Sequence, residues 1–193
     1  MKPSFALTER KEGNTVGRRS EMVERTKAYI AGFLDGDGSI YFQLMRRHDY
    51  TFGYQIRACI VFFQKTSQKR ILRWLIHKLR IGYLRDRNDN MSEYCIVGLL
   101  QVKRILQLLN PYLVLKRKQA KLALEIISDL ENLSSIDSKT LLRVAKKVDK
   151  FGTLNYSVKR SNTSSKVQEF LSSKAFVPVS TDRQQSLRLH VVR

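Results

Sequence analysis

One short run constrains this chain more than any other. Ala28, Gly32 and Gly36 recur every four residues through an apolar, helix-like stretch that ends in Gly36-Asp37-Gly38 and passes at once into strand-like sequence. Residues four apart share one face of a helix, so these three leave that face nearly bare of side chains. A second helix can then approach backbone to backbone. The expected helix spans Arg25 to Asp37, with the Gly-Asp-Gly run as its stop signal. Packed against its twin, it sets two copies of Asp37 side by side, and carboxylates that close repel unless cations lie between them. A divalent metal site resolves that repulsion, and phosphodiester hydrolysis uses such ions to activate water and to neutralise charge at phosphorus. The chain carries one such motif, with no second Gly-Asp-Gly in its later helices, so the paired site calls for two chains.

The next segments alternate. From Ser39 to Arg46, Ile40, Phe42 and Leu44 face one way and Ser39, Tyr41, Gln43 and Met45 the other. After a polar loop, Tyr54 to Gln64 sets Gln55 and Arg57 opposite Ile56, Ala58, Ile60 and Phe62. Ser67 to Leu79 carries the apolar stripe of an amphipathic helix. A second hairpin follows, Ile81 to Arg87 and Ser92 to Val97 around Asn88-Asp89-Asn90, with Tyr83, Arg85 and Arg87 across from Glu93 and Cys95. Helical segments are expected over Val102–Leu109, Lys116–Leu130, Ser138–Lys150 and Ser164–Leu171, with a break at Asn110-Pro111. The core order is α-β-β-α-β-β-α, an α+β plan with helices on one face of an antiparallel sheet and a polar face left open. Residues 1–24 read as a flexible leader, 25–172 as the folded domain and 173–193 as a polar, disordered tail.

The 36 Lys and Arg against 17 Asp and Glu give a formal charge of +19, which points to a polyanionic partner, nucleic acid first. No stretch reaches the eighteen or so apolar residues of a spanning helix, so no membrane partner is expected. Cys59 and Cys95 form no Cys-x-x-Cys pair and sit near no histidine cluster, and both are expected to be reduced and packed. The N-terminus lacks the apolar run of a signal peptide, and synthesis in the compartment of use is the simplest expectation.

The run Tyr29-Ile30-Ala31-Gly32-Phe33-Leu34-Asp35-Gly36-Asp37-Gly38-Ser39-Ile40 closely resembles the signature of the LAGLIDADG homing endonucleases, and the resemblance extends over residues 25–172. It implies an α+β fold of αββαββα order, with a saddle-shaped antiparallel sheet and helices on one face. It implies a homodimer joined at Ala28, Gly32 and Gly36, with Asp37 and the Gly36 backbone holding Mg2+. Phe63-Gln64-Lys65-Thr66 resembles the end of the family's second strand, which implies that Gln64 organises metal and water. Asn110-Pro111-Tyr112-Leu113-Val114-Leu115-Lys116 resembles the family's loop and helix with a basic active-site residue, here Lys116. Where the family commonly adds another basic residue, this chain has Gln68, followed by Lys69 and Arg70; Lys69 is the candidate carried forward, with the position left open among the three.

Gly82-Tyr83-Leu84-Arg85-Asp86-Arg87 resembles the third strand of plastid-type members, whose arginines enter the major groove of double-stranded DNA. The implied base-contact candidates are Tyr41, Gln43, Met45, Gln55, Arg57, Arg85, Arg87, Glu93 and Cys95, with Lys159 and Arg160 in a C-terminal loop on the DNA backbone. The family implies cleavage of a long pseudo-palindromic site and intron mobility. The same likeness implies a chloroplast rather than a mitochondrial setting, or the cytoplasm of a prokaryote.

Three other readings compete with this one. An EF-hand loop starting at Asp35 puts Arg46 where a bidentate Glu is required, and strand-like sequence follows instead. A cleavage-inactive maturase or DNA-binding protein of the same fold often lacks the acidic residue, whereas Asp37 and Gln64 are both present. A structural ribosome-associated protein accounts for the charge but not for the bare helix face.

Overall fold

The computed structural model describes residues 22–131, 136–157 and 160–173. Helix α1 (Glu24–Asp37) runs without a loop into β1 (Gly38–Arg46), which turns back as β2 (Tyr54–Lys65). Then come α2 (Arg70–Leu79), β3 (Tyr83–Asp86), β4 (Met91–Val97) and α3 (Leu99–Leu109), the order expected from hydrophobic periodicity. Helices α4 (Arg117–Glu131), α5 (Ser138–Leu154) and α6 (Ser164–Ser173) complete the described residues. The four strands form one antiparallel sheet in the order β1-β2-β4-β3, which leaves β1 and β3 as edges. The leader and tail fall almost wholly outside the described residues.

Strand alternation decides which side chains are buried. Ile40, Phe42 and Leu44 from β1, Ala58, Ile60 and Phe62 from β2, and Tyr94 and Ile96 from β4 all point into the layer under the helices. There they meet Ile30 and Leu34 of α1, Leu72 and Leu75 of α2, Ile105 and Leu106 of α3, and Val148 and Phe151 of α5. The ring of Phe62 stacks on Tyr94 at 5.7 Å and ties the two hairpins to each other, while Phe42 stacks on Phe151 of α5 at 5.3 Å and keys β1 to the helical layer.

Several boundaries differ from the periodicity: α3 starts at Leu99 rather than Val102, α5 runs on to Leu154 rather than Lys150, and two further differences have a visible cause. The helix expected from Ser67 starts at Arg70, after a tight turn over Thr66–Gln68. Thr66 is held back toward the second hairpin, its amide donating to Asn90 O at 2.8 Å and its hydroxyl bonded to Ser92 Oγ at 3.0 Å. The third strand spans Tyr83–Asp86 rather than Ile81–Arg87, and it starts late because Gly82 lies at φ 82°, outside strand geometry. A Cβ at Gly82 would stand 2.4 Å from the Cys95 carbonyl oxygen. Close approach and left-handed backbone together demand glycine. We therefore expect Gly82→Ala to lower unfolding free energy by roughly 2 kcal/mol or more in urea titrations; a midpoint unchanged from wild type would contradict this geometry.

Candidate functional site

The chemistry-bearing end of the molecule is built where α1 meets β1. Gly38 allows this junction, since a Cβ there would lie 2.5 Å from the Leu34 side chain and 2.8 Å from its carbonyl oxygen. Asp37 is the last helical residue and is exposed, while Asp35, two residues earlier, turns inward and is 8% exposed. The Asp35 carboxylate accepts backbone amides from Val114, Leu115 and Lys116 at 2.7, 3.1 and 2.9 Å. The Lys116 ammonium in turn donates to the Asp35 carbonyl. The α3–α4 connection is thus clipped to the end of α1, with Lys116 half-buried beside it, immediately before α4 rather than inside the helix. Burial pushes the Lys116 ammonium below its ordinary value, and the negative charges of Asp35 and Asp37 partly offset that. Lys116 therefore sits within the field of both Asp35 and Asp37.

Gln64 ends β2 half-buried, its side-chain oxygen accepting the Lys65 amide at 2.9 Å. It lines a groove with Tyr29 and Phe33 of α1, Gln68 of the turn, and Arg70 and Trp74 of α2. Lys69 is committed elsewhere. Its ammonium pairs with Asp86 of β3, whose other carboxylate oxygen accepts from Ser92 Oγ at 2.7 Å. That pairing, with Ser92, holds the Asp86 carboxyl below its usual range. Lys69 thus ties the β2–α2 turn to the second hairpin, while the adjacent Gln68 and Arg70 are exposed.

Among the described residues nothing covers the bare helix face. Ala28, Gly32 and Gly36 are all exposed, and a Cβ at Gly32 or Gly36 would meet nothing within 4 Å. Beside it stand Tyr29, 55% exposed, and the loop residues Val114 and Leu115, 75% and 71% exposed. This apolar surround to a naked backbone is what a closely approaching partner would cover.

The other face of the sheet collects the remaining candidates. Pairing places Gln43 beside Arg57, Met45 beside Gln55, Tyr41 beside Cys59, Tyr83 beside Cys95, and Arg85 beside Glu93. Gln43, Arg85 and Arg87 are exposed, and Tyr41, Met45, Gln55 and Arg57 half-buried. Glu93 and Cys95 are each only 4% exposed. Glu93 lies beneath the two arginines, accepting from Arg87 Nη1 at 3.0 Å with one oxygen and from Arg85 with the other. It serves as their clamp, leaving little of itself for a ligand. A cross-strand salt bridge was the legible signal, because Arg85 faces Glu93 in the hairpin pattern. The floor of this face is also less polar than alternation implied, since Cys59, Val61 and Cys95 are buried under the longer side chains.

The expected backbone contacts separate. Lys159 lies outside the described residues. Arg160 is turned inward, its guanidinium donating to the Val148 and Phe42 carbonyls at 2.7 and 2.9 Å.

An antiparallel sheet carrying a basic, arginine-clamped face, joined to an exposed carboxylate at the end of a bare helix, defines a class. The sequence pattern of the LAGLIDADG endonucleases matches residues 30–127, and the chain belongs to that family. It is 42% identical to DNA endonuclease I-CvuI of Chlorella vulgaris over 144 residues, 75% of this chain and 88% of that protein. Over 145 residues it is 37% identical to DNA endonuclease I-CreI of Chlamydomonas reinhardtii, again 75% of this chain and 88% of that one. The structure of I-CvuI with its target in 2 mM Ca superposes with a TM-score of 0.73, covering 77% of this chain and 94% of that one. Another structure of that protein, with the I-CreI target in 2 mM Mg, shows the DNA not cleaved. The archaeal I-Vdi141I shares the fold at 19% identity, with a TM-score of 0.69 and coverage of 78% of this chain and 96% of that one. No described helix is long and apolar enough to cross a membrane.

Two outcomes follow from this geometry. Asp35→Ala strands three backbone donors of a part-buried loop, and we expect it to cost about 3 kcal/mol of stability in denaturant titrations; a loss below about 0.5 kcal/mol would show that the clip is ornamental. Burial pushes the Cys95 thiol up to about 11 and raises Cys59 from its usual value as well. A raised thiol pKa means almost no thiolate at pH 8, so iodoacetamide should label neither cysteine of the native protein within minutes and both after unfolding.

Proposed function

We propose that the protein acts as a homodimeric homing endonuclease that cuts both strands of a long, pseudo-palindromic DNA site and depends on Mg2+. The observation that carries this reading is the uncovered Ala28-Gly32-Gly36 face ending at an exposed Asp37. A second copy seated there supplies the missing packing and a second carboxylate at once.

The donors fit a hard divalent ion. The Asp37 carboxylate and the Gly36 carbonyl are oxygen ligands of the type Mg2+ takes. Among the described residues no three His, Cys, Asp or Glu side chains gather to hold an ion within one chain, so the donor set suits a site completed by the partner and by DNA phosphates. When bound, Mg2+ would lower the pKa of its water and neutralise charge on the scissile phosphate. The chain's own part is positioning. Asp37 and Gly36 would hold the metal, Gln64 at the end of β2 would orient water, and Lys116, fixed by Asp35, would stabilise charge on the phosphate. Lys69 braces the turn from its pairing with Asp86, leaving the second basic role to Arg70 or to no side chain of this segment.

The sheet supplies recognition. Antiparallel strands can enter the major groove, where arginine reads guanine and glutamine reads adenine through paired hydrogen bonds. Arg85 and Arg87, clamped by Glu93, are preorganised for this, with Gln43, Gln55 and Arg57 continuing the row and Tyr41, Met45 and Cys95 shaping its floor. Lys159 and surface lysines neutralise phosphates. The partner is double-stranded DNA. We further infer action in the organelle of synthesis, a chloroplast, and a role in intron mobility; the support is likeness to the algal I-CvuI and I-CreI.

The test is cleavage of a plasmid library over a range of Mg2+ above 2 mM, since the I-CvuI complex at that concentration holds uncut DNA. Wild type should linearise a subset of plasmids, EDTA should abolish this, and Asp37→Asn should reduce cutting about a thousandfold or more while retaining binding. Gly32→Leu, by forcing the helices apart, should abolish both dimer in sedimentation and cleavage. Binding without metal-dependent cutting would favour the cleavage-inactive alternative, and a monomer both free and on DNA would refute the shared site.

A further inference from the structure

The outer edge of β1 is not bare. An edge strand presents unpaired carbonyls, and those of Ile40 and Phe42 are both taken by side chains from the residues that follow α5. Asn155 Nδ2 donates to Ile40 O at 2.9 Å. Two residues along the strand, Arg160 Nη2 donates to Phe42 O at 2.9 Å, while Nη1 of the same guanidinium donates to Val148 O on α5 at 2.7 Å. Room for that side chain comes from Gly152, where a Cβ would stand 3.2 Å from Arg160 Cδ. The same region is tied again where Asp149 Oδ2 accepts the Ser164 amide at 2.8 Å, and α6 then lays Phe170 3.6 Å from the Arg46 guanidinium at the end of β1. A cleft of about 410 Å3 along this edge is lined jointly by Tyr41, Gln43 and Met45 of the strand and by Asn155, Ser161 and Asn162 beyond it.

We propose that Asn155 and Arg160 are positioning residues for recognition: they pin the backbone of β1 to α5, so that Tyr41, Gln43 and Met45 present to DNA from a fixed strand, and Arg160 spends its charge on protein carbonyls rather than on a phosphate. This rests on the reading of the sheet as the DNA-reading face. Strand β1 needs such a brace because it is paired on one side only and follows Asp37 directly, with no loop to absorb displacement. A planar guanidinium bridges two carbonyls on different elements in a fixed fork; an ammonium is a point donor on a flexible stem and does not set the two carbonyls in a fixed relation.

The two roles for Arg160 predict opposite results. Duplexes selected by the full-length wild-type protein from a randomised library in Ca2+ serve as the probe, and binding is followed against salt and against single-base changes. Gln43→Ala marks the base positions read by β1. For Arg160→Ala the slope of log K against log salt should equal that of wild type, while discrimination at the Gln43-marked positions falls by roughly three- to tenfold. Arg160→Lys, which keeps the charge, should show the same loss of discrimination. A phosphate contact gives the reverse, a slope smaller by about one per protomer in the alanine variant and rescue by lysine, and that result overturns the proposal. Should Arg160→Ala fail to fold, Asn155→Ala removes only the neutral pin and carries the same prediction; an unchanged discrimination profile in it would also overturn the idea. If wild type selects no duplex at all, the DNA-reading assignment fails first.

Discussion

The buried carboxylate of Asp35 is the interaction on which the candidate site depends. A charge taken out of water is costly unless its lone pairs are filled, and Asp35 meets that cost with three backbone amides from one short loop. Those donors come from a connection some eighty residues further along, so a local helix end becomes a tertiary junction. Lys116 is brought beside Asp37 as a result, and neither helix alone would place it there. The adjacent exposed Asp37 is left free for work that Asp35, already saturated, cannot do.

The same division between buried anchor and exposed worker recurs on the sheet. Glu93 is nearly inaccessible and holds Arg85 and Arg87, which reach outward. Freezing long cationic side chains before a ligand arrives reduces the entropy lost on binding. Asp86 with Lys69, and Asn155 and Arg160 on the β1 edge, do similar duty for the backbone. In each case a polar residue that looks available in sequence is consumed in placing another.

What could be read from the residues was what depends on short-range pattern. The α-β-β-α-β-β-α order, the two hairpins and the inward rows of Ile40, Phe42 and Leu44 follow from period-2 and period-3.6 alternation, which backbone geometry imposes. The bare face of α1 was legible from glycine and alanine spacing. The roles of Lys69, Glu93 and Arg160 were not, because an ion pair or a side-chain-to-carbonyl bond depends on a partner whose proximity sequence distance does not encode. Of the three, only the Arg85–Glu93 pairing left a trace, through the register of one tight hairpin.

By itself, then, the sequence determined the family, the strand faces and the bare face of α1, since each is written in local spacing and side-chain size. Only the tertiary structure decided which of two neighbouring aspartates is buried, which basic residues remain uncommitted, and that Arg160 braces a strand edge. The physical reason is that burial and hydrogen-bond satisfaction are properties of surroundings, and the surroundings of Asp35, Lys69 and Arg160 are assembled from segments far apart in the chain.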